Sequence, residues 1–324
     1  MIYLIKVLVF TESEIILGDG ARDLTKIKPF EKDLSEDFPV SNELNYHKHS
    51  RIPKTIHQTW KYDQVPSVFH DNVRSFIEFN SDYDYYYWTD KSARELIEER
   101  HNDLLETFDN YVEPVRKADM LRYVVLYEIG GIYADLDTTC LRNLDRVLNK
   151  YSCILSPEPF EHSSLIFNAN FMVTNSIMFC QAGHPFLKKL MDNLPDFSHF
   201  SQDIDATGPN YVTLHLNQYM RDFKSRDLPD THAHSVTVPL SKYFQNEIDP
   251  IRFDDFRKMC KEFETLNNIG KRGCVTLLRN GMIHRKQSSL TFTQHAFYHT
   301  GYKILSDSRV NIKQLVPHAR IYSR

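Results

Sequence analysis

The hydrophobic positions in the first half of the chain alternate between the period of a strand and the period of a helix. Residues 52–60 and 83–88 are rich in β-branched and aromatic side chains, which is typical of strands. Residues 91–100 form a charged segment that predicts a helix. Residues 66–79 predict another helix, because their apolar side chains recur at helical spacing, at Val68, Phe69, Val73, Phe76 and Ile77.

A longer helix and a short strand follow these segments. The pattern predicts a helix over 114–128, with Pro114 in the first turn, where a proline is tolerated. Gly130 and Gly131 end this helix, and residues 132–136 predict a strand. Strands that alternate with helices in this way are typical of a mostly parallel sheet with helices on both faces. The predicted fold class is therefore α/β.

The pattern divides the chain at about residue 50. Residues 1–50 are predicted to form an N-terminal arm or the remnant of a membrane anchor and stem, because residues 11–50 are polar and show no sustained period. Residues 51–324 are predicted to form one domain. Its second half is more elaborate, with short apolar runs and a helix over 185–193.

Charge and composition narrow the class of partners. The 324 residues carry a formal net charge of −4, which provides no basic field for a nucleic acid backbone, so nucleic acid is not an expected partner. The five cysteines contain no CxxC pair, which argues against structural zinc. Buried thiols and disulfides both fit their spacing, and Cys260 with Cys274 would close a short loop.

The apolar start of the chain is too short to span a bilayer. Residues 1–10 are apolar apart from Lys6, whereas a spanning helix needs about 20 residues. The segment fits a first strand, a weak signal sequence or the remnant of a longer anchor. Membrane association therefore stays open.

Two carboxylates lie at the end of the predicted strand 132–136. In an extended segment Asp135 and Asp137 point to one side and Leu136 to the other. Neighbouring carboxylates repel each other unless a cation lies between them, and hard divalent cations prefer oxygen ligands. The pair is a candidate Mn²⁺ or Mg²⁺ site. An isolated Asp-x-Asp is also common in solvated turns, so the spacing alone supports both interpretations.

Asp119 and Arg122 add two charged side chains to this region. They are three residues apart on the predicted helix and share one face. Because two glycines join this helix to the following strand, both side chains can line one cleft with the acid pair. A guanidinium in such a cleft suits a phosphate. A simple ion pair within the helix is the alternative interpretation.

Four segments in the same order resemble glycosyltransferase family 32. The run from Lys117 to Tyr123, followed by Gly130-Gly131-Ile132-Tyr133-Ala134-Asp135-Leu136-Asp137, is similar to the DXD sugar-binding region of that family. Residues 52–61 resemble its opening strand, 87–90 the end of its second strand and 206–209 a later Thr-Gly-Pro element. The resemblance covers roughly residues 52–215. The family includes α-mannosyltransferases, inositol-phosphoceramide mannosyltransferases and lactosylceramide α-1,4-galactosyltransferases.

The resemblance implies a GT-A fold and the transfer, with retention, of mannose or galactose from a UDP- or GDP-hexose. It implies Mn²⁺ or Mg²⁺ as cofactor on Asp135 and Asp137, with Asp119 and Arg122 holding the donor sugar and its phosphates. Trp60 would flank the nucleobase, although a large aromatic at a strand end is equally often a core residue. No nucleophile is identified, so a front-side route assisted by the leaving group is expected.

Further positions are predicted to approach the donor. Asn170 lies in a stretch that resembles the family's approach to the donor sugar. Gly208 and Pro209 are expected to shape a turn beside the cleft. His299, or alternatively His295, would complete the metal site, while two ordinary surface histidines fit the sequence equally well.

The expected partners are a nucleotide sugar and a glycan or glycolipid acceptor, such as a glycosphingolipid. Two other function classes use the same donor site: a toxin-like transferase that modifies a protein or a nucleotide-sugar hydrolase, and a non-catalytic module that only binds a nucleotide sugar. The resemblance implies the Golgi lumen or membrane. The short apolar start leaves the cytoplasm as the alternative.

Overall fold

The computed structural model describes residues 23–37, 51–223, 229, 232–284, 288–299 and 308–323. In chain order its strands are β1 (Thr55–Thr59), β2 (Gln64–Pro66), β3 (Asp84–Trp88), β4 (Gly131–Ala134), β5 (Thr138–Cys140), β6 (Cys153–Pro157), β7 (Val173–Cys180), β8 (Thr293–His295) and β9 (Arg309–Asn311).

The α-helices are α1 (His70–Phe79), α2 (Asp90–Arg100), α3 (Asn102–Asn110), α4 (Pro114–Glu128), α5 (Asp145–Leu148), α6 (Phe160–Leu165), α7 (Pro185–Phe197), α8 (Asp203–Ala206), α9 (Pro209–Asp222), α10 (Pro250–Lys261), α11 (Asn268–Arg279) and α12 (Ile312–Leu315). Short 3₁₀ turns span Ser67–Phe69, Ser241–Tyr243 and Phe263–Thr265.

A five-stranded sheet with the order β3-β1-β4-β7-β6 forms the centre of the molecule. Strand β1 pairs in parallel with β3 and β4, whereas β7 runs antiparallel to β4 and β6. Four of the five strands therefore point the same way, which confirms the predicted mostly parallel sheet. The reversed strand β7 was not predicted, because its fully buried run carries no sign of direction.

Helices cover both faces of this sheet, as predicted. On β3, Tyr85 and Tyr87 pack into the core on one face, while Trp88 packs into the core on the other. Helix α1 contributes Val73 and Phe76 to the first core. Helices α4, α7 and α9 contribute to the second core. The predicted α/β class is thus confirmed.

The helix predictions differ from the structure mainly in the second half. Helix α7 extends to Phe197, beyond the predicted 185–193. The pair Gly208-Pro209 was interpreted as a turn, but Pro209 opens α9, since a proline at the first helical position starts a helix. Helices α10 and α11 were not assigned.

Part of the predicted arm packs on the domain. The backbone N–H of Lys32 donates to Val238 at 2.8 Å, and the N–H of Leu240 donates to Lys32 at 2.9 Å. Ile27 and Leu34 are buried in the two cores. The boundary near residue 50 stays a prediction, and residues 1–10 lie outside the described part of the chain.

The structure contains two disulfide bonds, a question that the sequence left open. Cys153–Cys180 joins β6 to β7, and Cys260–Cys274 joins α10 to α11. Cys140 is a buried free thiol. Among the described residues, no helix has the length and apolar character that crossing a membrane requires.

The junction between α4 and β4 is held by a buried histidine. The Nε2–H of His57 donates to the carbonyl of Gly130 at 2.9 Å, and its Nδ1 accepts from the indole N–H of Trp88 at 3.1 Å. Both contacts suit a neutral imidazole. Burial lowers the pKa of His57 to about 4, although the contact with Gly130 opposes this shift.

Replacing His57 by glutamine tests this account through pH. An unfolded histidine takes up a proton below about pH 6.5, whereas folded His57 stays neutral down to about pH 4. Its contribution to stability is therefore complete above pH 6.5 and falls by up to about 1.4 kcal/mol per pH unit below it. Urea unfolding at pH 7.5, 6.0 and 5.0 should show that the difference in unfolding free energy between wild type and the variant becomes smaller as the pH falls. A difference that stays the same at all three pH values would contradict the account.

Candidate active site

The acid pair lies in a tight turn at the end of β4. Asp135 donates its backbone N–H to Ser176 on β7 at 2.8 Å, and the N–H of Thr138 closes the turn on the Asp135 carbonyl at 3.0 Å. The predicted strand 132–136 thus ends earlier, at Ala134. The turn, rather than an extended segment, brings Asp135 and Asp137 together, which corrects the geometry predicted from the sequence.

Strand pairing adds a histidine to the acid pair. Strands β5 and β8 run antiparallel with His295 opposite Thr138. The Nε2 atom of His295 lies 3.2 Å from Oδ1 of Asp137. The other oxygen of Asp137 accepts from the backbone N–H of Tyr298 at 3.0 Å. The ligand atoms of Asp135, Asp137 and His295 all lie within 4.8 Å of one another.

His299 lies elsewhere, on the carboxylate of Asp249 at 3.0 Å. Of the two histidines that the sequence offered, the structure brings His295 to the acid pair, and the preference given to His299 is not supported. Two carboxylates and one imidazole are a donor set that suits Mn²⁺ and related divalent ions. The role of these residues as metal ligands stays a prediction.

The three groups of this cluster shift one another's pKa. Burial would raise the pKa of Asp137, but His295 and the N–H of Tyr298 lower it to about 2. Burial would lower the pKa of His295, but Asp137 raises it to about 9. Burial, together with the charge of Asp137, raises the pKa of Asp135 despite the opposing effect of Arg122. The site thus concentrates negative charge that His295 partly compensates.

Arg122 lies beneath the acid pair and is 3% exposed. Its guanidinium contacts Oδ1 of Asp119 at 3.0 Å and Oδ1 of Asp135 at 3.1 Å, and it also donates to the carbonyl of Asn175. The ring of Tyr133 lies under it, at 4.4 Å from the centroid. These contacts place Arg122 between the two carboxylates, where it orients Asp135, and its predicted contact with a donor phosphate stays a prediction.

Asp119 is equally enclosed, at 2% exposure. Beside Arg122, its carboxylate accepts from the amide of Asn175 at 2.8 Å and the hydroxyl of Thr207 at 2.7 Å. Burial raises the pKa of Asp119 to about 6, against the opposing charge of Arg122. A carboxylate with both oxygens engaged in this way supports the site from below, and the predicted contact with the donor sugar stays untested.

Trp60 lies at the rim of the site. Its ring packs on Phe69, with centroids 5.3 Å apart, and Phe69 lies 5.9 Å from the ring of Tyr298. Tyr298 is also the residue whose N–H contacts Asp137. A series of aromatic rings thus connects the acid pair to Trp60, which is compatible with a nucleobase beside Trp60.

Three other predicted donor residues take different positions. Asn170 bonds the carbonyl of Thr25 and the guanidinium of Arg272, so its amide is used in packing the arm. Gly208 caps α9, and a Cβ there would lie 3.0 Å from the backbone of Ile204. Pro209 follows it in the first turn. The Gly208-Pro209 pair thus sets the position of the preceding Thr207 against Asp119.

The sequence interpretation missed several polar residues of the site. Asn175 and Ser176 lie in the buried strand β7, and the Ser176 hydroxyl donates to Gln245 at 3.0 Å. Glu247 is buried beside His295, and within the described residues its Oε2 has no hydrogen-bond partner. Consecutive polar side chains in an otherwise apolar strand were the available signal for the pair on β7. Gln245 and Glu247 lie far from the acid pair in sequence, and no sequence pattern pointed to them.

Comparisons with known proteins relate this chain to glycosyltransferases. Residues 66–154 match the model of the glycosyltransferase sugar-binding region containing the DXD motif. The chain is 32% identical to inositol phosphoceramide mannosyltransferase 3 of Schizosaccharomyces pombe over 65% of its own length and 56% of the relative. It is 31% identical to mannosyl phosphorylinositol ceramide synthase SUR1 of Saccharomyces cerevisiae, over 61% and 49%.

A more distant relative is the initiation-specific alpha-1,6-mannosyltransferase of Candida albicans, 26% identical over 68% of this chain and 66% of that protein. The matched region spans about half the length of the first two relatives. Mouse xyloside xylosyltransferase 1 superposes with a TM-score of 0.42 and 10% identity, covering 76% of this chain and 98% of that one. The ordered motifs and the sequence relatives together confirm the predicted resemblance to glycosyltransferases that contain the DXD sugar-binding region, as in family 32.

Proposed function

We propose that this protein is a retaining hexosyltransferase that moves mannose from a nucleoside diphosphate sugar to a hydroxyl of a glycolipid or glycan. The observation that carries the proposal is the convergence of Asp135, Asp137 and His295 within 4.8 Å at the end of a central strand. The names of the relatives support mannose over galactose and favour an inositol-phosphate lipid as acceptor.

Asp135, Asp137 and His295 would hold a divalent ion, Mn²⁺ or Mg²⁺. Such an ion would supply positive charge against the diphosphate that leaves during glycosyl transfer. The residues of the chain have separate tasks. Arg122 fixes the orientation of Asp135, and the N–H of Tyr298 fixes that of Asp137. Because both carboxylates are already held in place, they need not move when the ion and the diphosphate bind, as a flexible acid pair would.

The proposal includes a front-side route rather than a covalent glycosyl-enzyme intermediate. Asp119 is a buried carboxylate near the acid pair, but both of its oxygens already accept hydrogen bonds from Asn175 and Thr207 and contact Arg122. A nucleophile needs an oxygen that can reach the sugar. The engagement of Asp119 therefore supports departure of the leaving group and attack by the acceptor on the same face.

We further propose that the protein works in an oxidising compartment such as the Golgi lumen. The two disulfides, Cys153–Cys180 and Cys260–Cys274, support this location, because such bonds persist in the secretory pathway and are rare in the cytosol.

Labelled GDP-mannose, UDP-galactose and UDP-glucose, each with Mn²⁺, test the function directly. The acceptors are inositol phosphoceramide in detergent and a soluble oligomannose glycan. The expected result is a mannosylated product from GDP-mannose that depends on an acceptor. Free sugar formed without acceptor would instead show a hydrolase. Donor binding without product across both acceptors would show a binding module, and either outcome would overturn the proposal.

A further inference from the structure

Helices α10 and α11 form a hairpin in the second half of the domain. The Cys260–Cys274 disulfide joins the two helices. Helix α11 also packs closely on α6, where a Cβ on Gly273 would lie 2.1 Å from the Ser164 hydroxyl. The hairpin, defined as residues 250–284, is therefore fixed to the domain rather than tethered by its ends alone.

The open end of the hairpin exposes three large aliphatic side chains. Ile251 in the first turn of α10 is 59% exposed, Leu278 in the last turn of α11 is 58% exposed and Ile283 just beyond it is 49% exposed. The backbone bond from Ile248 N–H to the carbonyl of His284 holds these two chain segments side by side. We call Ile251, Leu278 and Ile283 the apolar tip.

The other large hydrophobic side chains with comparable exposure in the described part of the chain are Tyr62, Phe79, Val112, Leu141, Phe223 and Tyr298. Single exposed apolar residues are ordinary on a soluble surface, whereas three of them on two adjoining chain segments indicate an interaction surface.

The hairpin is also basic in an otherwise acidic chain. Residues 250–284 contain seven Lys and Arg against four Asp and Glu, while the whole chain has a net charge of −4. Three of these cations, Lys271, Arg272 and Arg279, line a groove of about 370 Å³ beside the ring of Phe160. We call these three residues the basic groove. Its last member, Arg279, directly follows Leu278 of the apolar tip.

The hairpin is connected to the proposed active site by a series of buried polar contacts. Asp249, which caps α10, donates its backbone N–H to Nε2 of His162 on α6 at 2.9 Å. His162 contacts Glu158 at 2.8 Å, and Glu158 accepts from Gln245 at 3.0 Å. Gln245 in turn accepts from Ser176, the neighbour of Asp135. Hydrogen bonds therefore connect the start of the hairpin to the strand that holds the backbone of Asp135.

We propose that the apolar tip and the basic groove dock this protein on the surface of an anionic phospholipid bilayer. Ile251, Leu278 and Ile283 enter the boundary between headgroups and acyl chains, while Lys271, Arg272 and Arg279 face lipid phosphates. Positive charge close to a negatively charged leaflet attracts, and apolar side chains that leave water add to binding. Docking itself does not depend on the proposed function. Its consequence does, because docking would present the hydroxyl of a lipid acceptor to the proposed active site.

Sedimentation with vesicles tests the docking surface in the full chain. The probes are vesicles of phosphatidylcholine alone and of phosphatidylcholine mixed with phosphatidylserine. Two variants remove the proposed contacts: Ile251→Ser/Leu278→Ser/Ile283→Ser and Lys271→Gln/Arg279→Gln. Two matched controls change equivalent exposed residues elsewhere: Val112→Ser for the apolar tip and Lys91→Gln/Arg100→Gln for the basic groove.

Wild type and both controls should sediment with the anionic vesicles and should not bind the neutral ones. The charge variant should lose roughly fivefold in partitioning for each cation removed, and the tip variant should lose binding to a similar or greater degree. Equal binding to neutral and anionic vesicles, no binding by wild type, or variants that bind like their controls would each overturn the proposal.

The transfer assay separates this inference from the proposed function. Both hairpin variants should keep wild-type transfer to the soluble glycan and lose transfer to acceptor lipid embedded in anionic vesicles. If no transfer occurs with any acceptor while vesicle binding follows the pattern above, the proposed function fails and the docking surface stands. If transfer to vesicle-borne acceptor is unchanged in both hairpin variants, docking does not deliver the acceptor and the proposal is wrong.

Discussion

Replacing Asp135 by asparagine should reduce glycosyl transfer by roughly a thousandfold, a loss comparable to removing one preorganised charge-stabilising group from an active site. The variant keeps an acceptor oxygen for Arg122 and Tyr133, so the turn at the end of β4 should stay intact. What it removes is one of the two negative charges that would hold a divalent ion. The measurement is the transfer rate at saturating Mn²⁺.

The same variant should not be less stable than wild type. Burial and the neighbouring charge of Asp137 raise the pKa of Asp135, which means that the fold disfavours its ionised form. A neutral side chain relieves this cost at pH 7 and above. An unchanged or higher melting temperature together with lost transfer would identify Asp135 as a functional group. Asp109→Asn, on an exposed ion pair with Arg94, is the control and should retain full activity.

Arg122 should be the most sensitive position for stability. Its guanidinium is buried between Asp119 and Asp135, and removing one partner of a buried ion pair costs about 3–5 kcal/mol because charge is left uncompensated. Arg122→Met should therefore show that loss in urea unfolding. Arg122→Lys should lie between this variant and wild type, since a point charge cannot contact both carboxylates as the planar fork does.

Arg94 offers a matched control for Arg122. Its guanidinium also makes two contacts with carboxylate oxygens, but both are on the single surface residue Asp109, at 2.9 Å each. Arg94→Lys should leave stability without measurable change, because solvent screens exposed ion pairs. Equal losses in Arg94→Lys and Arg122→Lys would contradict the supporting role assigned to Arg122.

The sequence was informative where local periodicity decides the structure. Strands β1 and β3 and helices α1, α2 and α4 occur within a few residues of their predicted bounds, because each buries a regular apolar face. The acid pair was found from its position after a glycine-ended helix. The tight turn that joins Asp135 to Asp137 was not predicted, because a strand-like pattern does not show where the hydrogen bonding of the strand ends.

Contacts between distant segments were beyond the reach of the pattern. His295 reaches Asp137 only because β8 pairs with β5, and three-residue strands leave too short a pattern to predict such pairing. The burial of Arg122 cannot be seen in the sequence, and its predicted contact with a phosphate stays a prediction. Asn175 and Thr207, which donate to Asp119, come together only when β7 and the start of α9 lie against α4.

The central claim is that Asp135 and Asp137 bind a nucleoside diphosphate through a divalent ion. Calorimetric titration of GDP and UDP into the wild-type protein, with Mn²⁺ and then with a chelator, tests it most directly. We predict that Mn²⁺ tightens binding of the preferred nucleotide by at least about tenfold, equivalent to about 1.4 kcal/mol, and that this gain disappears in Asp135→Asn. Nucleotide affinity that is the same with and without Mn²⁺ in the wild-type protein would contradict the claim.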